Sequence, residues 1–559
     1  MFLGLIVIYP SLTLVINSFK TEAGYSLANY AMIFKDQGII QSMINSAKVV
    51  LPTTVFATIM GVFLAWAAAR TDVPCKRAWQ ILLSIPYFIP PFIGAISWTF
   101  LLGPVGYFNR FFMTVFGLET PLLNIYSIPG MVFVMSIYRY AVPFIVVLPT
   151  MRKIPASMEE ASRISGASPW KTMRNITLPL LAPSIIGAML LLFMFVLADF
   201  GVSAALGAPN RIRLMTTQIY YLIHRPDMPN NMQIAAAYSI FLSLFGLLGL
   251  WLYNRVLKTN KFSVVTGKSA AAEPVKLGFA RWMLFGALAL VFLISTCAPI
   301  IAALITSLTK VYGLPFGPGN MTVKNITGLV LIPNIARSFQ NSLVLSAVSA
   351  VIIAVVTLII AYIAIRGGVR GVRGIGLMQT MVTLPYALPG TIIAIAMILS
   401  FAQPLPVTGW KIYGTIWILL VAYIARFMNL GYSNIAGAIS QIDISLEEAA
   451  RVSGASHTRA FGDIVLPLLK NSMISSFFLV AAPALSEITL SALLWSVGSE
   501  TIGTVVFNSQ EEGKILRTAA LAIMLIILVV FVNILIQNIS ERAKKRNGKN
   551  GGAVALTPQ

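Results

Sequence analysis

Long apolar runs separated by short polar stretches dominate the chain. A helix needs about 20 apolar residues to cross the hydrocarbon core of a bilayer. Twelve segments approach that length: 2–19, 44–69, 79–102, 130–150, 180–206, 235–253, 282–306, 342–365, 375–401, 413–433, 472–495 and 518–539. The pattern predicts an all-α polytopic membrane protein with about twelve transmembrane helices. The first segment has neither a basic flank nor an Ala-x-Ala site, so it reads as a retained span rather than a signal peptide. Because the chain opens directly into it, a short cytoplasmic lead is expected ahead of it.

Composition supports this class and excludes others. Of 559 residues, 57% are hydrophobic and only 10% are charged, with a mean hydropathy of +0.84. A soluble domain carries roughly 25% charged residues to cover its surface. A cytosolic enzyme, a nucleic-acid binder and a disordered chain are all excluded on that ground. The net charge of +22 is better explained by topology, because Lys and Arg collect on the cytoplasmic side of a membrane. With the N-terminus inside and the spans alternating, 25 of the 40 Lys and Arg fall inside and 13 outside, counting Lys48 at the outer end of 44–69 among the latter. Arg139 and Arg426 fall within spans. Both termini of this multi-pass protein are therefore expected in the cytoplasm. Residues 260–274, rich in Ser, Ala and Lys, read as a polar cytoplasmic linker. The tail after Ile539 is basic, then Gly-rich, and is expected to be disordered.

The two halves repeat each other. Glu159-Glu160-Ala161-Ser162-Arg163-Ile164-Ser165-Gly166-Ala167-Ser168 matches Glu447-Glu448-Ala449-Ala450-Arg451-Val452-Ser453-Gly454-Ala455-Ser456, 288 residues later. The same offset carries Ile176-Thr177-Leu178-Pro179 onto Ile464-Val465-Leu466-Pro467, and Asp199 onto Glu487. Upstream, Asn45-Ser46 and Arg70 match Asn341-Ser342 and Arg366 at an offset of 296. Pro86-Tyr87 and Pro90 match Pro385-Tyr386 and Pro389 at 299. An even number of spans separates the repeats, so they run parallel and both Glu-Ala segments face the cytoplasm. The expected divisions are a first repeat over 1–258, a linker over 259–281, a second repeat over 282–539 and a tail over 540–559.

Local chemistry accounts for part of the Glu-Ala segment. Ser157-x-x-Glu160 and Ser445-x-x-Glu448 read as capping boxes that each start a short helix. Gly166 and Gly454 would end it in the left-handed conformation. Ser168-Pro169 would then cap a second helix, with Pro at its first position. Helix capping alone does not require a polar helix-turn-helix at equivalent places in both repeats. A docking surface for a cytoplasmic partner does.

At these residues the sequence resembles a known family. Glu-Ala-Ala, three residues, Gly, nine residues, Ile-x-Leu-Pro is the cytoplasmic pattern of binding-protein-dependent ABC importer permeases. Glu448-Ala449-Ala450…Gly454…Ile464-x-Leu466-Pro467 fits it fully, and Glu160-Ala161…Gly166…Ile176-x-Leu178-Pro179 fits with Ser162 in place of the second Ala. The resemblance implies that Glu160, Ala161, Gly166, Glu448, Ala449 and Gly454 belong to two coupling helices. Each would sit in a groove on one of two copies of a separate ATPase subunit. It also implies an extracytoplasmic binding protein that selects the cargo. A fused pair of this size most resembles the ferric-iron permeases, so ferric iron is the implied cargo. A phosphonate, a sugar phosphate or thiamine are the alternatives. ATP belongs to the partner subunit: Gly267-Lys268-Ser269 has Phe262 where a P-loop needs Gly. No cofactor or metal is expected on this chain, whose Cys75, Cys297, His224 and His457 lie far apart in sequence.

Apart from Lys48 at the outer end of 44–69, four charges remain inside the expected spans: Arg139 and Arg426, and Asp199 and Glu487 toward outer ends. A charge at membrane depth costs at least about 2.5–3.5 kcal/mol, so such groups normally face a cavity or a partner. Either Arg139–Asp199 and Arg426–Glu487 are ion pairs that lock neighbouring spans, or the four line the translocation path. Tyr87, Tyr386 and the nearby prolines are expected only to kink their spans. A secondary transporter would also show repeats and intramembrane charges, but it has no need of paired docking segments. A membrane-embedded enzyme would need a convergent nucleophile, acid and base, and the sequence offers no such set.

Overall fold

A computed structural model describes residues 2–225, 228–259, 274–369, 374–404 and 409–552. Most of the linker, 260–273, therefore lies outside the described residues, as do 553–559 of the tail. Among the described residues the chain is all-α, with one two-residue β-ladder at Lys20–Thr21 and Gly24–Tyr25. Among the described residues, ten helices are long and apolar enough to cross a bilayer, and a sharply bent pair makes an eleventh if it is one span. The segment expected at 2–19 is a shorter apolar helix, Gly4–Phe19. The helix beginning at Ile515 runs to Gly552, through the basic stretch expected to be disordered. Ser540–Asn547 has no proline and is rich in Glu, Arg, Lys and Ala, which carry high helix propensity.

Two expected spans are broken rather than kinked. Helices Ile375–Ala387 and Gly390–Phe401 meet at 112°. Leu388, which precedes Pro389, is extended (φ −90°, ψ 139°), as the clash between a proline ring and the preceding residue requires. In the first repeat the expected span 79–102 divides into Lys76–Leu82, a 3-10 turn Ile85–Tyr87, and Pro91–Leu102. Pro90, which precedes Pro91, is extended too (ψ 123°). Proline also removes the N–H donors that a continuous helix would use here.

The chain forms two compact units. The larger comprises Phe19–Gly328 and Asn508–Ile523; the smaller comprises the described residues of Met1–Ser18, Leu329–Phe507 and Met524–Gln559. These units cross the repeat boundaries, because each repeat's first helix belongs to the unit built on the other repeat. In the larger unit, helix Ala298–Ser307 packs on Pro91–Leu102, and the Thr306 hydroxyl donates to Tyr107 Oη (3.1 Å). In the smaller unit, Gly4–Ile8 packs on Ile375–Ala387 and Ile416–Ile439, and the Tyr9 hydroxyl donates to the Ser400 carbonyl (3.1 Å).

Each unit is organised around one long helix. Gln37–Arg70 packs along Ala141–Lys153 and Ile128–Arg139 in the larger unit. Pro333–Val369 packs along Ile416–Ile439 and Leu466–Leu485 in the smaller. Near the start of each, an Asn-Ser pair caps a helix from much later in the chain. Asn45 Nδ2 donates to the Arg213 carbonyl (3.2 Å) and Ser46 Oγ accepts from Met215 N (2.8 Å). Asn341 Nδ2 donates to the Glu500 carbonyl (2.9 Å) and Ser342 Oγ accepts from Ile502 N (2.8 Å).

Candidate functional site

The repeated Glu-Ala segment folds the same way in both repeats. Helices Ala156–Ile164 and Ser445–Val452 are each followed by a glycine at positive φ, +80° at Gly166 and +91° at Gly454. A side chain at such an angle meets its own backbone, so glycine is favoured. A one-turn helix follows, Pro169–Thr172 or His457–Ala460, capped by Ser168 Oγ on Lys171 N and by Ser456 Oγ on Arg459 N (both 3.3 Å). A π turn, Met173–Thr177 or Phe461–Val465, then leads into the next span.

The expected capping box does not form at Ser445. That residue is the first of its helix, Ile444 precedes it without a side-chain cap, and Asp443 Oδ1 accepts the Ser445 N–H (2.9 Å). This bond holds the Asp443 carboxyl below the usual carboxylate range. A shorter side chain two residues earlier reaches the free N–H better, as in an Asx turn. Ser157 likewise lies inside helix Ala156–Ile164 rather than ahead of it.

Glu160, Ala161, Gly166, Glu448, Ala449 and Gly454 are all exposed. Beside them stand large apolar side chains at equivalent places. Ile164 is 87% exposed and Val452 90%, with Met158 and Leu446 also exposed.

The other glutamate of each pair turns inward. Glu447 Oε1 accepts from Arg366 Nε at 2.6 Å, and its Oε2 accepts from the Tyr362 hydroxyl at 2.7 Å. Arg366 Nη2 also donates to the Ile442 carbonyl (3.0 Å). In the first repeat Arg70 Nη2 lies 3.7 Å from Glu159 Oε1, which accepts from the Thr177 hydroxyl (2.9 Å). Arg70 Nη2 donates to the Met151 and Ile154 carbonyls (2.7 and 3.1 Å). All four side chains are buried. From sequence, Arg70 and Arg366 count only as inside charges and matching repeat positions. Their carboxylate partners are 89 and 81 residues away. The end of the linker is fixed at the same place: Val275 N donates to the Arg70 carbonyl (2.8 Å) and Leu277 N to Asp72 Oδ1 (3.0 Å).

The intramembrane charges come together in pairs. Arg139 Nη2 donates to Asp199 Oδ2 at 3.0 Å, and Arg426 Nε lies 3.5 Å from Glu487 Oε2. Neither carboxylate lies within its span. Helix Leu178–Leu197 ends before Asp199 and Leu466–Leu485 ends before Glu487. Each carboxylate caps the short helix that follows: Asp199 Oδ1 accepts from Val202 N and Glu487 Oε1 from Leu490 N (both 2.9 Å). Both oxygens of each are thus engaged. Arg426 Nη1 also reaches the Leu388 carbonyl (3.5 Å), at the break in the bent pair. The carboxylates are buried, while both arginine side chains keep 21% exposure.

The chain as a whole is similar to known proteins. Residues 57–261 and 362–545 each match the family described as binding-protein-dependent transport system inner membrane component. The chain is 26% identical over 545 residues to the ferric transport system permease protein FbpB of Actinobacillus pleuropneumoniae, covering 95% of this chain and 75% of that protein. It is 21% identical over 535 residues to the Fe(3+)-transport system permease protein FbpB 2 of Haemophilus influenzae, covering 94% of each. Among solved structures, a bacterial ABC transporter involved in import of the acidic polysaccharide alginate is similar at 19% identity. It matches over 46% of this chain and 92% of its own, with a TM-score of 0.40.

Proposed function

The chain belongs to the binding-protein-dependent transport system inner membrane components and carries two fused permease domains, and we propose that it is the membrane subunit of an ATP-driven importer of ferric iron. It takes cargo from an extracytoplasmic binding protein and passes it inward by alternating access. Two copies of a separate cytoplasmic ATPase subunit drive it, and ATP is theirs. Both termini and both coupling elements are cytoplasmic. The coupling residues are Glu160, Ala161, Gly166, Glu448, Ala449 and Gly454, with Ile164 and Val452 beside them.

One observation carries this reading. Two equivalent polar elements each expose a large aliphatic side chain almost completely, Ile164 at 87% and Val452 at 90%. An aliphatic side chain left in water forgoes roughly 1.5–3 kcal/mol of burial. Its repetition at the same place in both repeats suits insertion into a matching groove on two identical partner subunits. Arg139–Asp199 and Arg426–Glu487 we assign to locking neighbouring helices, since both oxygens of each carboxylate are already used within the fold. The ferric cargo rests on the names of the relatives.

The test is co-expression with an ATPase subunit of this transporter family. Ile164→Asp with Val452→Asp should insert normally, yet retain little ATPase subunit on purification and import no radiolabelled ferric iron delivered by the binding protein. Retention of the subunit at the wild-type level would overturn the docking assignment. An oxyanion cargo is the second reading, favoured by the exposure that Arg139 and Arg426 keep. Uptake of a labelled phosphonate but not of iron would select it.

A further inference from the structure

The exposed face of each coupling element accounts for docking but not for how a push on it reaches the spans. The buried face holds a candidate. Glu447 lies in the first turn of its helix, and its carboxylate is gripped by Tyr362 and Arg366, one turn apart on helix Pro333–Val369. Arg366 extends the grip to the Ile442 carbonyl, in the loop between span Ile416–Ile439 and the coupling helix. The first repeat repeats the plan. Arg70 ends helix Gln37–Arg70, faces Glu159, and takes the carbonyl of Ile154, 288 residues before Ile442.

A surface ion pair gives way under load because water replaces either partner. These pairs are shielded: relative exposures are 6% and 2% for Arg366 and Glu447, and 6% and 9% for Arg70 and Glu159. Breaking one leaves an uncompensated buried charge, which is strongly unfavourable. The coupling helix and the inner end of the long helix therefore move together or not at all. That long helix has 37 residues in the smaller unit and 34 in the larger. At 1.5 Å per residue, either reaches about 50 Å, enough to cross the bilayer.

We infer that the buried pairs Arg366–Glu447 and Arg70–Glu159 are latches that transmit movement of the ATPase subunits to the long helix of each repeat. All four are positioning residues, since they are buried and act through the helices they join. The inference rests on the importer reading above and deepens it by separating docking from transmission.

The experiment uses the full chain with its ATPase subunit and loaded binding protein in proteoliposomes. Single variants such as Glu447→Gln strand a buried charge and threaten folding. The informative variant is Arg366→Met with Glu447→Met, which removes both charges at similar volume and is tolerated when buried pairs are replaced this way. It should insert and bind the ATPase subunit like the wild type, with unchanged basal ATP hydrolysis. Loaded binding protein should no longer stimulate hydrolysis, and uptake should fall about tenfold or more, within the ordinary range of coupling between sites. Arg366→Lys, which keeps the charge but loses the forked geometry, should fall between. Wild-type uptake by the double variant would overturn the latch and leave docking intact. Uptake falling only in step with lost ATPase subunit would reduce the pair to support for the docking surface and likewise overturn it. If the wild-type chain itself binds no ATPase subunit, the importer reading falls, and the latch with it.

Discussion

The two repeats use the same pair of charge contacts and tighten them at opposite ends. In the first, the pair Arg139–Asp199 is close (3.0 Å) and the pair at the Glu-Ala segment, Arg70–Glu159, is loose (3.7 Å). In the second, Arg426–Glu487 is loose (3.5 Å) and Arg366–Glu447 is close (2.6 Å). The causes are local. Tyr362 adds a hydroxyl to the second latch where Trp66 stands in the first, and Thr177 adds one to the first where Val465 stands in the second. Arg426 is shared with the Leu388 carbonyl freed by the break before Pro389. A duplicated sequence thus keeps the contact plan while its neighbours redistribute strength, so equivalent substitutions should not have equal effects.

The largest difference is expected at the pairs Arg139–Asp199 and Arg426–Glu487. Arg139→Ala should destabilise more than Arg426→Ala, because it breaks the closer contact. The ceiling is about 3–5 kcal/mol for a fully buried pair, and the 21% exposure of each arginine lowers it. Yield of monodisperse protein in detergent and its melting temperature measure this. Arg139→Leu with Asp199→Leu should recover part of the loss, although the Val202 N–H loses its cap. Equal damage from the two Arg→Ala variants would break the comparison. Full uptake by the double variants of both repeats would remove all four residues from the transport mechanism.

The glycines of the two Glu-Ala segments come next, and here the repeats should agree. No heavy atom would crowd a Cβ at Gly166 or Gly454, so only backbone strain opposes a side chain. That strain is roughly 1–2 kcal/mol in the left-handed region. Gly166→Val and Gly454→Val should each insert normally, weaken ATPase-subunit binding and abolish uptake. Normal transport by both would sink the docking assignment.

A topology test is smaller in structural consequence. With Cys75 and Cys297 removed, cysteines at Ser168 or Ser456 should resist an impermeant thiol reagent in intact cells, and one at the exposed Pro209 should react. Asn109, also expected outside, is unsuitable. It is fully buried and donates to the Leu102, Gly103 and Leu123 carbonyls. Labelling of one coupling segment alone would contradict the parallel arrangement.

Legibility in the sequence followed the range of the physics. Apolar runs and the duplicated Glu-Ala-Gly pattern are local, and they located the spans and the turns at Gly166 and Gly454. Arg139–Asp199 could be anticipated because isolated charges in apolar spans must find partners. Arg70 and Arg366 gave no such warning, since a cationic residue at a span's inner end already has an explanation. Hydropathy averaged over 375–401 concealed the 112° break, although Pro389 marked it. Exchange of first helices between units leaves no mark in periodicity, because an apolar helix reads alike whichever unit it packs on.

The finest test separates the two latches by a single hydroxyl each. Hydrogen bonds to charged groups contribute about 1.5–3 kcal/mol. Tyr362→Phe takes one from Glu447, but the Arg366 Nε bond at 2.6 Å remains. Thr177→Val takes one from Glu159 and leaves Arg70 Nη2 at 3.7 Å, too far for a direct hydrogen bond. A buried carboxylate that loses its closer partner suffers more than one that keeps it, so Thr177→Val should lower the melting temperature further than Tyr362→Phe. Phe461 packs edge-on against the Tyr362 ring at 4.7 Å, a contact the phenylalanine keeps, so the hydroxyl is what that variant removes. The reverse order would mean that Arg70 closes on Glu159 once Thr177 is gone. The 3.7 Å gap would then be slack available to the first latch, rather than a permanent difference between the repeats.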